Sequence, residues 1–262
     1  DVSVAEHRLA LEHALRSGIN LIDTSANYAD GGSERLVGAV LTDMIKLGEI
    51  GREHVVVVTK AGYLQGENME LSRQRKGEGA PFPDLVVFDA ELEHCIHPVF
   101  LAEQLTRSLQ RMQLTHIDCL LLHNPEYYLK WANHNNIDPE VAQTEYLRRI
   151  EVAFRYLESE VESGRIGCYG ISSNTFPKPA TDYERTDLSA ILATARSAAS
   201  TVNTAAAALA GRLVSGRFIW LRVARFVTTL PPAPAATVPV IARLAAPPAA
   251  SAPTSQMPVA GL

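Results

Sequence analysis

The stretch IDTSANY, residues 22–28, decides the fold predicted for this chain. The mostly apolar run 19–22 reads as a short buried strand, and that strand ends on Asp23. Tyr28 follows five positions later in a polar loop, and Ser33 beyond it is a suitable N-cap for a helix. A strand, a polar loop and a capped helix form one β/α unit, in which the groups at the carboxyl end of the strand face the active site.

Asp23 and Tyr28 are the first candidate site residues. A buried carboxylate beside a tyrosine at a strand end is suited to proton transfer. In the ordinary alternative, the acid caps backbone N–H groups of the loop and the tyrosine packs on its rim. The stretch alone leaves both interpretations open.

Helix and strand alternate from residue 4 to about residue 200. The run VVVV before Lys60 has no polar alternation, which is typical of a strand buried on both faces. Strands that alternate with helices form a parallel sheet. The predicted helices are 4–17, 33–47, 98–112, 144–162 and 183–199, and the predicted strands are 19–23, 55–60, 117–122 and 166–171.

Two more of these strands lead to ionisable side chains, because Lys60 ends the second strand and His123 directly follows the third. Parallel strands bring their carboxyl ends to one edge of the sheet, so Asp23, Tyr28, Lys60 and His123 are expected to converge. Each of them alone has an ordinary interpretation as a loop acid, a rim tyrosine, a solvated lysine or a core histidine. Their joint placement favours a site.

The chemistry of the four groups is complementary. A phenol is a poor acid at neutral pH because its pKa is ~10, and a nearby ammonium group favours the phenolate. A carboxylate keeps that ammonium charged and in place, and a neutral imidazole can donate a hydrogen bond to a carbonyl oxygen. The set suits protonation of an oxygen that gains negative charge, as in carbonyl reduction. Side chains cannot supply hydride, so the reaction requires a nicotinamide.

The composition excludes several other classes of protein. With 262 residues, 47% of them hydrophobic, and a net charge of −5, the chain is an ordinary globular sequence with no nucleic-acid signal. Its three cysteines follow no disulfide pattern, which favours a reducing compartment. No signal peptide opens the sequence, and no uncharged apolar run is long enough to span a bilayer. We predict a cytoplasmic protein without nucleic-acid or membrane partners.

The segment 61–97 is too long for an ordinary β/α connection, and it predicts a functional loop. Within it, the sequence EHCIH at 93–97 could suggest a metal site. We reject that interpretation because no second ligand cluster of recognisable spacing accompanies it.

Four motifs together resemble the aldo-keto reductase family: IDTSANYADGGSERLVG, VVVVTK, HIDCLLLHNPE and GRIGCYGISSN. That family is an eight-stranded (β/α)8 TIM barrel that uses NADPH to reduce aldehydes or ketones and has an Asp–Tyr–Lys–His tetrad. The resemblance covers about residues 4–200. It implies a tetrad of Asp23, Tyr28, Lys60 and His123, with Ser173 and Asn174 holding the nicotinamide carboxamide. Tyr28 is then the general acid, Lys60 tunes it, Asp23 orients Lys60, and His123 positions the carbonyl.

The resemblance is incomplete at both ends. The predicted strands match the second to fifth strands of the barrel, and we find no counterpart of the first or of the last three. We therefore predict an incomplete, truncated barrel domain over 1–200 and a low-complexity tail over 201–262, disordered or weakly helical. Composition alone also allows a membrane-surface helix at 212–227. An incomplete barrel leaves open edges, so we expect low stability and a tendency to associate.

Two other functions remain open at this point. The chain could be a non-catalytic protein that binds NADPH or another protein on the same half-barrel. It could also be a lyase or isomerase that uses Lys60 to form a Schiff base. The Asp23–Tyr28 spacing and the Ser-Asn strand end favour the reductase over the Schiff-base enzyme.

Overall fold

The computed structural model describes residues 3–209, 218–222 and 238–245, with side chains as far as residue 199. It is a partial (β/α)8 barrel, as the sequence predicted. The helices are α1 Val4–Arg16, α2 Gly32–Lys46, α3 Glu67–Gly77, α4 Pro98–Met112, α5 Tyr127–His134, α6 Pro139–Glu162 and α7 Leu188–Leu209. The strands are β1 Leu21–Asp23, β2 Val56–Ala61, β3 Tyr63–Leu64, β4 Val86–Val87, β5 Glu93–His94, β6 Ile117–His123, β7 Ile166–Ser173, β8 Phe218–Arg222 and β9 Val238–Ala245.

The main sheet has the strand order β1-β2-β6-β7-β9-β8. The first four are parallel, and they are the four strands predicted from the sequence. In their register, Asp23 lies beside Val58, Lys60 beside Leu121 and His123 beside Ser172.

The two faces of this sheet have different environments. The helices cover one face and form the large apolar core with it. The other face is concave, and it carries a small cluster of Val58, Cys119 and Leu121. Successive side chains of a strand alternate between faces, so Lys60 and His123, each two residues further along, lie on the concave face as well. The core therefore holds the strands while the opposite face holds the ionisable groups.

Asp23 lies on the concave face too, but the prediction that its carboxylate is buried is wrong. Its side chain is 52% exposed. The reason is that β1 is the edge strand of the sheet among the described residues, so no further strand covers it. Leu21 of β1 and Val56 of β2 are also exposed.

Helix α2 begins differently from the prediction. Its N-cap is Gly31, which has a φ of 78° in the left-handed region that glycine adopts without strain. Ser33 is therefore inside the first turn, and its hydroxyl hydrogen-bonds to the hydroxyl of Thr24 at 2.7 Å. The predicted cap at Ser33 is thus wrong, and the residue ties the helix to the loop after β1 instead.

Helix α6 begins at Pro139, earlier than the predicted start at residue 144. Asp138 caps it by accepting hydrogen bonds from the N–H groups of Glu140 and Val141. Proline suits the first position of a helix because it has no N–H to satisfy there. Helix α7 begins at Leu188, later than the predicted start at residue 183. The side chain of Asp187, directly before it, accepts a hydrogen bond from the backbone N–H of Ala190 in its first turn.

The segment 61–97 is folded. Strands β3, β5 and β4 form a small antiparallel sheet in that order, and α3 lies between β3 and β4. A reciprocal pair of side-chain amide bonds, at 3.0 and 2.8 Å, joins Asn68 of α3 to Gln104 of α4. Both side chains are buried. The 61–97 segment is thereby anchored to the barrel.

A buried ion pair joins α2, β2 and α4. Glu34 is fully buried, and it accepts hydrogen bonds from Arg111 Nε at 2.6 Å and from the hydroxyl of Thr59 at 2.5 Å. One turn along α2, a Cβ at Gly38 would lie 2.4 Å from the carbonyl oxygen of Met112, so the two helices meet at a glycine. These contacts fix the strand that carries Lys60 against its helices.

The region after residue 200 is described only in part. Helix α7 continues to Leu209, β9 pairs antiparallel with β7, and β8 pairs with β9. Within 212–227, the five residues 218–222 form a strand and the others lie outside the described residues. The boundary at residue 200 and the character of the 201–262 tail stay predictions. In the part of the chain that the structure describes, no helix is both long enough and apolar enough to cross a bilayer.

Candidate active site

Lys60 is the centre of the candidate site. Its ammonium nitrogen lies 2.7 Å from Asp23 Oδ1, 3.0 Å from the carbonyl oxygen of Thr24 and 3.5 Å from the phenolic oxygen of Tyr28. The side chain is only 4% exposed. A buried charge is stable only when it is paired and hydrogen-bonded, and these contacts provide both conditions. The structure therefore brings three of the four predicted residues together.

Tyr28 closes the loop after β1. Its backbone N–H donates to the carbonyl of Ser25, and the next residues, Ala29 and Asp30, take left-handed φ values of 49° and 51° before the helix begins. This tight turn points the ring back over Lys60, whose nitrogen is 5.0 Å from the ring centroid. Tyr28 remains 42% exposed.

His123 is the fourth predicted residue, and it is nearly buried, with 7% of its surface exposed. Its ring meets the ring of Tyr28 edge-on at 6.0 Å between centroids. Its Nδ1 lies 3.0 Å from the hydroxyl oxygen of Ser25. Burial, together with the positive charge of Lys60, lowers the pKa of His123 to about 3. The imidazole is therefore neutral at physiological pH.

A second histidine, which is not among the predicted site residues, supports the first. His94 Nε2 lies 2.7 Å from the backbone carbonyl oxygen of His123, and since a carbonyl only accepts, Nε2 carries the proton. Burial lowers the pKa of His94 to about 4, so this imidazole is neutral too. Gly62 makes the contact possible, because a Cβ there would lie 2.6 Å from that carbonyl oxygen and 2.7 Å from His94 Nε2.

An aromatic wall borders the site on the side of the 61–97 segment. The ring of Tyr63 meets His123 edge-on at 4.7 Å, and Tyr127 packs against both Tyr63 and His94. The phenolic oxygen of Tyr63 accepts a hydrogen bond from Asn124 at 2.7 Å. Burial raises the pKa of Tyr63. The wall therefore packs aromatic rings against one side of His123.

The end of β7 carries Ser173 and Asn174, the pair predicted to hold the carboxamide, and the two residues have different hydrogen-bond partners. The hydroxyl of Ser173 is buried and bonded to the hydroxyls of Thr175 and Thr186, at 3.1 and 3.2 Å. The backbone N–H of Asn174 donates to Glu126 at 2.8 Å. The hydroxyl of Ser172, the register partner of His123, is also buried.

Three buried polar atoms near this strand end have no hydrogen-bond partner within the described residues: Asn124 Oδ1, Glu126 Oε2 and Ser172 Oγ. Burial also raises the pKa of Glu126. Buried polar groups are nearly always paired, so unpaired ones in a cluster mark a place for a polar ligand or water. The only sequence signal for Asn124 and Glu126 is their position directly after His123.

The residues of the rejected metal motif have other partners. Glu93 binds the hydroxyl of Ser72 and the ammonium of Lys76, and His97 caps α4. Over the described ranges, no group of three or more His, Cys, Asp or Glu side chains is arranged to hold a metal ion.

An open cavity of about 730 Å³ lies beside α5, away from the four predicted residues. It is lined by Val87, Phe88, Lys130, Trp131, Asn133, His134, Asn135 and Glu184. The candidate site lies instead at the strand ends on the concave face, where the four ionisable groups meet.

Comparison with known proteins points to one family. The profile described as the Aldo/keto reductase family matches residues 2–190. The NADH-specific methylglyoxal reductase of Escherichia coli (strain K12) is 34% identical over 110 residues, which are 42% of this chain and 28% of that protein. Among solved structures, the aldo-keto reductase AKR11C1 from Bacillus halodurans is 21% identical with a TM-score of 0.43, over 66% of this chain and 43% of its own.

A second solved structure, the Bombyx mori aldo-keto reductase AKR2E4 in complex with NADP, is 22% identical with a TM-score of 0.41. The match covers 65% of this chain and 41% of that one. The chain thus spans less than half the length of these relatives. The family profile nevertheless extends over most of the chain and includes every predicted site residue. The chain belongs to the aldo/keto reductase family.

Proposed function

We propose that this chain carries the proton-donating face of a reductase that converts a carbonyl group, in an aldehyde or a ketone, to an alcohol. The observation that supports this most directly is the contact of Lys60 Nζ with both the Tyr28 hydroxyl and the Asp23 carboxylate. Because the chain spans less than half of its relatives, its own activity is part of the proposal.

Each of the four residues has a role in this proposal. Tyr28 donates its phenolic proton to the substrate oxygen as negative charge develops there, and its exposure lets the substrate reach it. Lys60 stabilises the phenolate that remains, and Asp23 holds Lys60 in place. His123 is neutral and borders the same face, where it orients the substrate oxygen.

A reduced nicotinamide dinucleotide supplies the hydride when bound. The residues at the end of β7 suit its carboxamide, which has one acceptor and two donors. Asn174 stays in this role as predicted. We propose Ser172 in place of Ser173, since the Ser172 hydroxyl is buried without a partner among the described residues while Ser173 is bonded to two threonines.

The resemblance implies NADPH as the dinucleotide, while the Escherichia coli relative is named NADH-specific. We therefore propose a nicotinamide cofactor with NADPH as the first form to test. Fluorescence titration of the chain with NADPH and with NADH measures the preference directly. A cytoplasmic location stays a prediction, and the structure adds that all three cysteines are free thiols.

The test of the proposal is carbonyl-dependent oxidation of NADPH by the chain and by Tyr28→Phe. Loss of the general acid lowers the rate by roughly 10²- to 10⁴-fold. Tyr183→Phe is the matched control, because it removes a phenolic hydroxyl that donates to the carbonyl of Ile137, far along the chain from Lys60. Equal rates for the chain and for Tyr28→Phe contradict the role of Tyr28.

A second candidate is a non-catalytic protein that binds a nicotinamide on the same half-barrel. The exposure of Asp23 at the edge strand favours it, since a water-exposed carboxylate holds Lys60 less firmly. Binding of NADPH without turnover supports this second function. We do not propose Schiff-base chemistry, because the nitrogen of Lys60 contacts three oxygen atoms as a donor and so offers no nucleophile.

A further inference from the structure

Two cysteines lie side by side on the concave face, and the proposed function uses neither of them. Cys119 of β6 and Cys168 of β7 are register partners on neighbouring parallel strands. Both belong to the small cluster on this face, where Cys119 is buried and Cys168 is partly exposed. They are far apart in the sequence, so the register of the sheet is what brings them together.

The two thiols are also in direct contact. The thiol of Cys168 donates a hydrogen bond to the backbone carbonyl oxygen of Asp118, with Sγ 3.1 Å from that oxygen. A thiol has one proton and a carbonyl only accepts, so Cys168 has no second proton to donate. The side chains of Cys119 and Cys168 hydrogen-bond to each other, and Cys119 is therefore the donor in that bond.

The spacing of the strands suits a covalent bond between the two sulfur atoms. Neighbouring strands lie about 4.8 Å apart, and the Cα atoms of disulfide-bonded cysteines lie about 4.4–6.8 Å apart. Both side chains are on the same face of the sheet, as a disulfide between neighbouring strands requires. A disulfide can therefore close here without sliding either strand along the other.

The surroundings of the two thiols differ. Cys119 keeps its proton, because the hydrogen bond to Cys168, its burial and the negative charges of Asp23 and Asp118 raise the pKa of Cys119 well above the usual value. Cys168 is the more exposed of the two, and its sulfur accepts the hydrogen bond. We therefore assign Cys168 as the thiol that an oxidant meets first and Cys119 as the thiol that resolves the product.

We propose that Cys119 and Cys168 form a redox site, in which a hydroperoxide converts two thiols to one disulfide. In the first step the sulfur of Cys168 attacks one peroxide oxygen, and the O–O bond breaks. The other oxygen takes up the thiol proton and leaves as an alcohol, or as water when the oxidant is hydrogen peroxide, and Cys168 becomes a sulfenic acid. In the second step the sulfur of Cys119 attacks the sulfur of Cys168, and the hydroxyl group leaves with the proton of Cys119 as water. The two sulfur atoms lose two electrons in all, and the peroxide gains them.

The test is to count thiols in the folded full chain before and after treatment with hydrogen peroxide. The remaining thiols are blocked with a maleimide in denaturant and counted by mass, and the chain is then digested without reduction. The chain has three cysteines, so we expect the count to fall from three to one, with one linked peptide pair that contains Cys119 and Cys168. Dithiothreitol should restore all three thiols, as a reducing compartment would.

Cys95 provides the matched control. It is buried in a different cluster, and its thiol donates to the carbonyl oxygen of Pro83. Cys95→Ala should therefore leave the linked pair unchanged. Cys119→Ala should abolish the pair and leave Cys168 as a sulfenic acid that dimedone traps, because the resolving thiol is gone. Oxidation in denaturant gives the reference without the fold, since loop closure then favours a link between Cys95 and Cys119, which are nearer in sequence.

The unaltered chain decides the outcome by itself, so the test holds even if a variant does not fold. Three thiols after peroxide treatment, a linked pair that includes Cys95, or further oxidation of Cys168 without a link would each overturn the proposal. The count needs neither a nicotinamide nor turnover. A chain that forms the linked pair but has no reductase activity supports the redox site and contradicts only the proposed function.

Discussion

The buried ion pair between α2 and α4 allows a sharp test of what holds the site strand in place. Glu34 is fully buried and Arg111 is 10% exposed, so neither charge can be solvated when the other is removed. We predict that Glu34→Leu lowers the free energy of unfolding by about 3–5 kcal/mol, which is the usual cost of leaving a buried charge without its partner. The hydroxyl of Thr59 loses its acceptor in the same variant, which places the loss toward the upper end.

The assay is a double-mutant cycle, with unfolding by urea followed by far-UV circular dichroism. Arg111→Leu alone should also be strongly destabilising. Glu34→Leu combined with Arg111→Leu removes both charges, so it should cost only the ~1–3 kcal/mol of the Thr59 hydroxyl left without its acceptor. The matched control is Glu70→Leu, since the Glu70–Arg73 pair is exposed on both sides and such pairs contribute about 0–1 kcal/mol. A double variant as unstable as the sum of the two single ones would refute the reasoning.

Two other predictions concern stability. His94 and His123 have folded pKa values of about 4 and about 3. Because unfolded histidine has a pKa of ~6.5, the unfolded chain binds more protons than the folded chain below that pH. The free energy of unfolding therefore falls as the pH drops below ~6.5, by roughly 3 kcal/mol for each histidine at about pH 4. Urea unfolding between neutral pH and pH 4 measures this, and an unchanged midpoint contradicts it. Gly38→Ala should lower the free energy of unfolding by at least ~1–3 kcal/mol, because its Cβ would lie 2.4 Å from the carbonyl oxygen of Met112. A Cβ at Gly77 would meet nothing within 4 Å, so Gly77→Ala should leave the free energy of unfolding unchanged or raise it by ~0.5–1 kcal/mol. Thermal unfolding of the two alanine variants separates these outcomes, and equal melting temperatures would contradict the close contact.

The strands and the four ionisable groups could be predicted because each depends on local sequence. An apolar run such as VVVV forms a buried strand almost regardless of its neighbours, and the parallel arrangement then puts Lys60 and His123 on one edge. The exposure of Asp23 was missed, although the missing first strand of the barrel already implied that β1 lies at an open edge. Ser33 was mistaken for a cap because a serine before a helix is a good cap, while the left-handed Gly31 starts the helix first.

The supporting residues of the site were missed for a different reason. Ser25 and His94 gain their roles from contacts with His123, which is distant from both in sequence. No periodicity or spacing encodes such contacts. The His94 contact depends on how the 61–97 segment folds back on the barrel, and the Ser25 contact depends on how the loop after β1 lies over the end of β6. The choice between Ser172, which we propose, and Ser173, which stays a prediction, depends on the face of β7 on which each lies, and adjacent serines do not reveal this in the sequence.

The glycine at position 62 has a consequence for how the site responds to its surroundings. With no side chain between them, the small antiparallel sheet and the end of β6 are joined through the 2.7 Å bond from His94 to the His123 backbone. Packed interiors transmit displacement with little loss. A ligand that binds to the outer surface of the 61–97 segment would therefore displace the imidazole of His123. Spectroscopy of this single ring would then detect the binding.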